Sequence, residues 1–98
     1  MSDFEFTGEV FEWRGPAPYH FVRVPPEESA DIREVASEVT YGWGMVPVLV
    51  GVGDTEWETA LWPKDGAYVV PLRDWVRADE GIELGGTVTV RLDVGAGR

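Results

Sequence analysis

The chain has 98 residues, enough for one domain, residues 1–98, built around a single core. It lacks cysteine and has one histidine, His20, which excludes disulfides, thiol catalysis and metal sites made of cysteines or of two imidazoles. The net charge of −10 argues against nucleic acid and anionic membranes as partners. The sequence has no apolar run long enough to span a membrane and no signal peptide after Met1, so we expect a cytoplasmic protein. We also expect that it needs no cofactor or metal.

The chain begins with a predicted β-hairpin. Phe4 to Trp13 is the first strand, and its apolar residues change face along its length, which predicts a bulge near Gly8. Residues 14–18 contain two prolines and form the turn, because proline cannot donate to a strand ladder. Tyr19 to Val24 then returns as the second strand.

A helix and a third strand follow the hairpin. Apolar residues at helical spacing predict a helix over Asp31–Val39, with Ser29 as a candidate N-cap. Glycines on both sides of Trp43 predict a tight bend after the helix, because glycine permits turns that other residues resist. Met45 to Val52 alternates apolar and other residues and forms the third strand.

The second half of the chain repeats this order of elements. Glu56 to Trp62 is the fourth strand, and Pro63-Lys64-Asp65-Gly66 is a strong turn signal. Ala67 to Val70 is the fifth strand, followed by a short helix over Leu72–Asp79 that ends at a glycine. The alternating segment from Val88 to Val94 forms the last strand.

The repeated order predicts how the two halves assemble. Val46–Gly53 aligns with Val88–Gly95 at a constant offset of 42. A unit of three strands and one helix leaves its edges and apolar face exposed, so two such units cover each other. We predict a mainly β fold with two short helices, a six-strand barrel made of two ββαβ pseudo-repeats, 4–53 and 56–95. The tail, residues 95–98, is expected to be frayed.

The alternation also identifies a predicted core. Side chains of one parity along each strand, together with the apolar faces of the two helices, point into the same interior. These residues are Phe6, Val10, Val22, Ile32, Val35, Val48, Val50, Leu61, Val70, Trp75, Val88, Val90 and Leu92.

The second half resembles a known module. Gly66 to Arg73, with Val70-Pro71 before the helix and Gly81 after it, leads into a valine-rich strand. This pattern is similar to the swapped-hairpin module of the AbrB/MazE type. In that family two chains intertwine into one barrel, and here the resemblance implies that two halves of one chain do so.

Nearly the whole chain resembles a second family, of small prokaryotic domains of unknown function. The motifs that carry the resemblance are Trp13-Arg14-Gly15-Pro16-Ala17-Pro18-Tyr19-His20-Phe21, Tyr41-Gly42-Trp43-Gly44, and Trp62-Pro63-Lys64-Asp65-Gly66 with Val70-Pro71. The resemblance implies a double-split β-barrel. It implies no activity.

The candidate binding site consists of Arg14, His20, Tyr41, Trp43 and Lys64. The repeat places Arg14 and Lys64 in corresponding turns, where two cations in an acidic protein predict a small anion-binding pocket walled by Tyr41 and Trp43. Alternatively, Arg14 and Lys64 pair with nearby carboxylates and the aromatic residues belong to the core. His20 either donates a hydrogen bond to a backbone carbonyl, or serves as a general base or a pH-sensitive ligand contact.

Three functions follow from these observations. The sequence favours a non-catalytic binding module for a small anionic ligand, a peptide or a protein partner, acting as a monomer or weak homodimer. The AbrB/MazE resemblance implies an antitoxin-like transcriptional regulator as an alternative. A small enzyme using His20 with Arg14 or Lys64 is the third possibility, but the sequence contains no phosphate loop, nucleophile elbow or calcium loop, and we assign no catalytic residue.

Overall fold

The computed structural model describes residues 4–13, 19–36 and 44–94, which form a closed six-strand antiparallel barrel with two helices. In chain order the elements are β1 (Phe4–Trp13), β2 (Tyr19–Arg23), α1 (Pro26–Ala36), β3 (Val46–Val52), β4 (Thr55–Lys64), β5 (Ala67–Leu72), α2 (Asp74–Glu80) and β6 (Thr87–Val94). Around the barrel the strand order is β1-β2-β5-β4-β3-β6, and β6 closes the circle on β1. The predicted fold class is confirmed.

Two of the strands change partner along their length. β1 pairs with β6 over residues 4–9 and with β2 over residues 10–13. In the same way, β4 pairs with β3 over residues 55–61 and with β5 over residues 62–64. β1 and β4 therefore each belong to two sheets, which makes the barrel double-split. β1 diverges from β6 where it begins to pair with β2, and β4 diverges from β3 where it begins to pair with β5.

The strand order is unchanged when the two halves are exchanged. Replacing β1, β2 and β3 by β4, β5 and β6 converts the circular order into itself. Under that exchange the β2–β5 and β3–β6 ladders map onto themselves. Superposition of residues 4–53 on 56–95 stays a prediction, and the tail, residues 95–98, lies outside the described residues.

Gly8 has a different role from the predicted one. β1 pairs with β6 in one continuous register that includes Gly8 opposite Val88, so the predicted bulge is wrong. Gly8 instead allows a close approach of β2, because a Cβ atom there would lie 2.7 Å from Cγ1 of Val22 and 3.1 Å from the carbonyl oxygen of Arg23. The absent side chain lets β1 and β2 pack tightly where they diverge.

Most of the predicted core residues are buried together inside the barrel. Val88 is half-buried and packs against this core from its margin. The predicted residues that the structure buries are Phe6, Val10, Val22, Ile32, Val48, Val50, Leu61, Val70, Val90 and Leu92.

The first helix packs through a different face from the predicted one. Its described part spans Pro26–Ala36, and it starts five residues before the predicted range Asp31–Val39. Ser29 and Ile32, which are one turn apart, are buried, whereas Val35 is 47% exposed. The predicted core position of Val35 is wrong because Ser29 and Ile32 occupy the inward face of the helix.

Ser29 is a tertiary contact and not an N-cap. It lies inside the helix and is buried, with its backbone N–H bonded to the carbonyl of Pro25. Its hydroxyl donates to the carbonyl oxygen of Val24 at 3.1 Å and accepts from the backbone N–H of Tyr68 at 3.2 Å. One side chain therefore joins α1 to the end of β2 and to β5.

The second helix begins later than predicted. It spans Asp74–Glu80, because β5 extends over the start of the predicted range Leu72–Asp79. Val76 is the buried residue of this helix, whereas Trp75, about 100° away around the helix, is 50% exposed, so the predicted core position of Trp75 is wrong. The predicted end is confirmed by Gly81, whose φ of 63° is the left-handed conformation of a helix C-cap. No helix in the described ranges is long and apolar enough to cross a membrane.

Candidate functional site

The predicted site residues fall into two groups. His20 and Lys64 belong to the described part of the chain. Arg14, Tyr41 and Trp43 lie outside the described residues, so the constellation as a whole stays a prediction.

His20 and Lys64 lie far apart along the sheet. His20 of β2 pairs with Leu72, the last residue of β5. Lys64 of β4 pairs with Ala67, the first residue of β5. The two residues are therefore separated by the length of β5, roughly 17 Å at about 3.4 Å per residue. The structure does not bring them together.

Lys64 sits beside a tight hairpin turn. Asp65 and Gly66 both have positive φ, 52° and 81°, which is the pattern of a two-residue type I′ turn. Nζ of Lys64 lies 3.4 Å from a carboxylate oxygen of Asp65. This ion pair is the arrangement that the alternative interpretation expected for Lys64.

A groove of about 610 Å³ opens where β4 leaves β5. The β4–β5 ladder stops at the pair Trp62–Val69; beyond it β4 pairs with β3, while β5 pairs with β2. We call the space between the diverging strands the split groove. Its apolar lining comes from both strands and from the residue before β3, and consists of Met45, Ala60, Trp62, Pro71 and Leu72.

Trp62 forms a firm wall of the split groove. Its ring lies 5.2 Å from the ring of Phe21, tilted by 58°, and the fully buried Phe21 ring lies 6.0 Å from that of Phe11. Pro71 pairs with Phe21 across the β2–β5 ladder and also lines the groove. These contacts lie on the outer side of the barrel and hold the apolar wall in place without a ligand.

Three charged residues and the hydroxyl-bearing Thr59 also line the split groove. Asp74, whose side chain is 95% exposed, accepts a hydrogen bond from the Arg77 guanidinium one turn further along α2. Glu58 on β4 and Arg73, which directly follows β5, line the groove from its two sides. Neither forms an ion pair with another residue of the described ranges.

α2 is attached to the barrel beside the groove. The hydroxyl of Thr55 donates to the Glu80 carboxylate at 2.5 Å, which ties the end of the helix to the start of β4. Near the other end, the ring of Trp75 packs edge-on against that of Trp57, with centroids 6.4 Å apart. Because Arg73 directly precedes this helix, the two contacts also position Arg73 at the groove.

The lining of the split groove combines five apolar residues with one hydroxyl and three charged side chains. Within the described ranges, no group of three or more histidine or acidic side chains is placed to hold a metal ion. Among the described residues, the lining therefore provides an apolar wall and two charges without an ion-pair partner.

Sequence reasoning missed this site. The sequence assigns neither Glu58 nor Arg73 to the candidate site. Neither has a local signal, because the groove depends on where the β4–β5 ladder ends. Only the pairing of Trp62 with Val69 and the divergence beyond it bring Glu58 and Arg73 to the same groove.

Comparison with known proteins supports the second of the two resemblances. No curated protein matches the chain. No finding relates it to the AbrB/MazE type, and that resemblance stays a hypothesis. The family model described as a domain of unknown function, DUF1905, matches residues 6–92, which run from β1 into β6. The chain therefore belongs to the DUF1905 family.

Proposed function

We propose that this protein is a non-catalytic binding module that takes a small anionic ligand or a peptide in the split groove. The observation that carries the proposal is the Arg73 guanidinium, which has no ion-pair partner among the described residues and lines a groove with an apolar wall. A guanidinium presents a rigid fork of donors that matches a carboxylate or a phosphate.

The size and composition of the groove support this function. Its volume of about 610 Å³ falls within the roughly 300–1,000 Å³ typical of small-ligand sites. Such sites are mostly apolar with a few polar groups that orient the ligand, and here Trp62 and Leu72 supply apolar surface while Arg73 supplies a charge.

A screen with named probes tests the proposal. Phenylpropionate, a short peptide, inorganic phosphate and a nucleotide would be titrated into the full chain, and amide chemical shifts followed by NMR. We expect a binding probe to move the amides of Ala60, Trp62, Leu72 and Arg73 together.

Two variants locate the effect. Arg73→Gln should weaken binding of an anionic probe by about tenfold or more, the usual worth of a hydrogen bond to a charged group. Arg33→Gln removes the same charge far from the groove, where Arg33 donates to the carbonyl of Gly66 at 2.5 Å, and it should leave binding unchanged. Binding of no probe, or shifts confined to another surface, would refute the proposal.

A further inference from the structure

We infer that the split groove takes an apolar zwitterion, meaning an apolar amino acid or a short peptide that carries both a free ammonium and a free carboxylate. The inference rests on the proposed function and specifies the ligand class. It follows from the two charges that the groove leaves unmatched and from the apolar surface between them.

The unmatched charges have opposite signs. Asp74 is engaged by Arg77, which leaves Glu58 on one wall and Arg73 on the other. A ligand that carried only a carboxylate would satisfy Arg73 but would partly desolvate Glu58 without giving it a partner, which is unfavourable. A ligand with an ammonium as well as a carboxylate provides an ionic partner for Glu58 and another for Arg73.

The same charges disfavour polyanions. Glu58 repels a second negative group held near Arg73, and the whole chain carries a net charge of −10. Phosphates and nucleotides therefore fit this groove less well than a single carboxylate does. Charge complementarity selects the zwitterion among the small ligands of the proposed function.

The body of the ligand should be apolar. Met45, Trp62, Pro71 and Leu72 line the groove together with the charged residues. The ring of Trp62 is already held by Phe21, so the wall requires little ordering when a ligand arrives. An aromatic or aliphatic side chain packed against this wall adds burial to the two charge-assisted contacts.

The other split of the barrel differs in its packing. Where β1 diverges from β2, Cγ1 of Val22 and the carbonyl oxygen of Arg23 approach Gly8 so closely that a Cβ atom would not fit. The inner side of that divergence is tightly packed, whereas a groove opens where β4 diverges from β5. We expect one ligand per chain, in the split groove.

Calorimetric titration of the full chain with capped and uncapped probes tests the inference. The probes are leucyl-phenylalanine, its N-acetyl form, its C-terminal amide and free phenylalanine. The uncapped dipeptide or free phenylalanine should bind with one ligand per chain, and the tighter of the two identifies a peptide or an amino acid as the source. Either cap on the dipeptide should weaken its binding by about tenfold or more, because each removes one charge-assisted contact.

Variants test whether Arg73 contacts the ligand carboxylate and Glu58 the ligand ammonium. Arg73→Gln should weaken the uncapped probe but leave the amide no weaker than before, since the amide has already lost that contact. Glu58→Gln should make the uncapped and N-acetyl forms bind alike. Arg33→Gln and Glu27→Gln, which remove the same charges on α1, should preserve the full discrimination between probes.

The outcomes separate the inference from the proposed function. If phosphate or phenylpropionate binds through Arg73 while both caps on the dipeptide are tolerated, the inference is wrong and the binding module stands. If neither these anions nor the zwitterions perturb the groove, both fail. Loss of discrimination in Arg73→Gln and Glu58→Gln, with unchanged controls, supports both.

Discussion

Val50 of β3 lies directly opposite Leu92 of β6, and both side chains are fully buried. The two residues are 42 positions apart, which is the offset at which the sequences of β3 and β6 align. A residue that faces its own repeat equivalent lies on the axis relating the two halves. We therefore expect an approximate two-fold axis between Val50 and Leu92, in the β3–β6 ladder.

Truncation of fully buried residues should destabilise the barrel. Val50→Ala or Leu61→Ala removes fully buried methyl groups and should lower the free energy of unfolding by about 1–4 kcal/mol, through lost burial and a residual cavity. Val35→Ala is the matched control, because Val35 is 47% exposed. It should change stability by less than about 0.5 kcal/mol. Urea unfolding measures all three, and equal losses at Val35 and Val50 would contradict the burial described above.

Strand periodicity predicted the barrel well because its signal is local. The bounds of β1 were predicted without error, and the alternation in β3 and β6 correctly placed Val50 and Leu92 inside. Helix phase was harder to predict, because a helix with a weak apolar stripe can face the barrel in several ways. In α2 the sequence offers Trp75 and Val76 as neighbouring apolar residues, and the structure buries only Val76.

The split groove could not be predicted from local patterns. A sequence shows that β4 and β5 form a hairpin, but not that their ladder stops at Trp62 and Val69. That end point is set by competition from β3 for the first part of β4 and from β2 for the last part of β5. Glu58 and Arg73 line the same groove only because of this competition between strands that are distant in the sequence.

Loss of the Ser29 hydroxyl should destabilise the protein more than its small size suggests. Ser29→Ala leaves the buried N–H of Tyr68 without this acceptor, which should cost about 1–3 kcal/mol. Thr7→Val removes a hydroxyl that pairs with Thr89 at an exposed position, and it should cost less than about 0.5 kcal/mol. Thermal and urea unfolding provide the comparison. If Ser29→Ala proves as mild as Thr7→Val, another group must satisfy Tyr68.

Duplex DNA should not bind at physiological salt. The chain has 18 acidic residues against 8 basic ones, so few counterions are released when it meets a phosphate backbone. Fluorescence anisotropy of a labelled duplex, measured over a range of salt concentrations, tests this expectation. A salt-sensitive rise in anisotropy at micromolar protein would instead support the antitoxin-like regulator.

Gly8 and Gly51 should respond differently to the same substitution. At Gly8 a methyl group meets buried Val22 and a backbone oxygen, neither of which can move freely, so Gly8→Ala should lower the free energy of unfolding by about 1–3 kcal/mol. At Gly51 the atom in the way, 2.6 Å from the added Cβ, is Nη2 of Arg91, at the tip of a flexible side chain.

Gly51→Ala displaces the Arg91 guanidinium and its 2.9 Å hydrogen bond to the carbonyl of Gly53. That loss is partly offset because alanine reduces the entropy of the unfolded chain, so the net change should stay within about 1 kcal/mol. Urea unfolding of the two variants decides whether the β1–β2 divergence is closed by packing at Gly8. If Gly8→Ala is tolerated as well as Gly51→Ala, that divergence has room for a side chain.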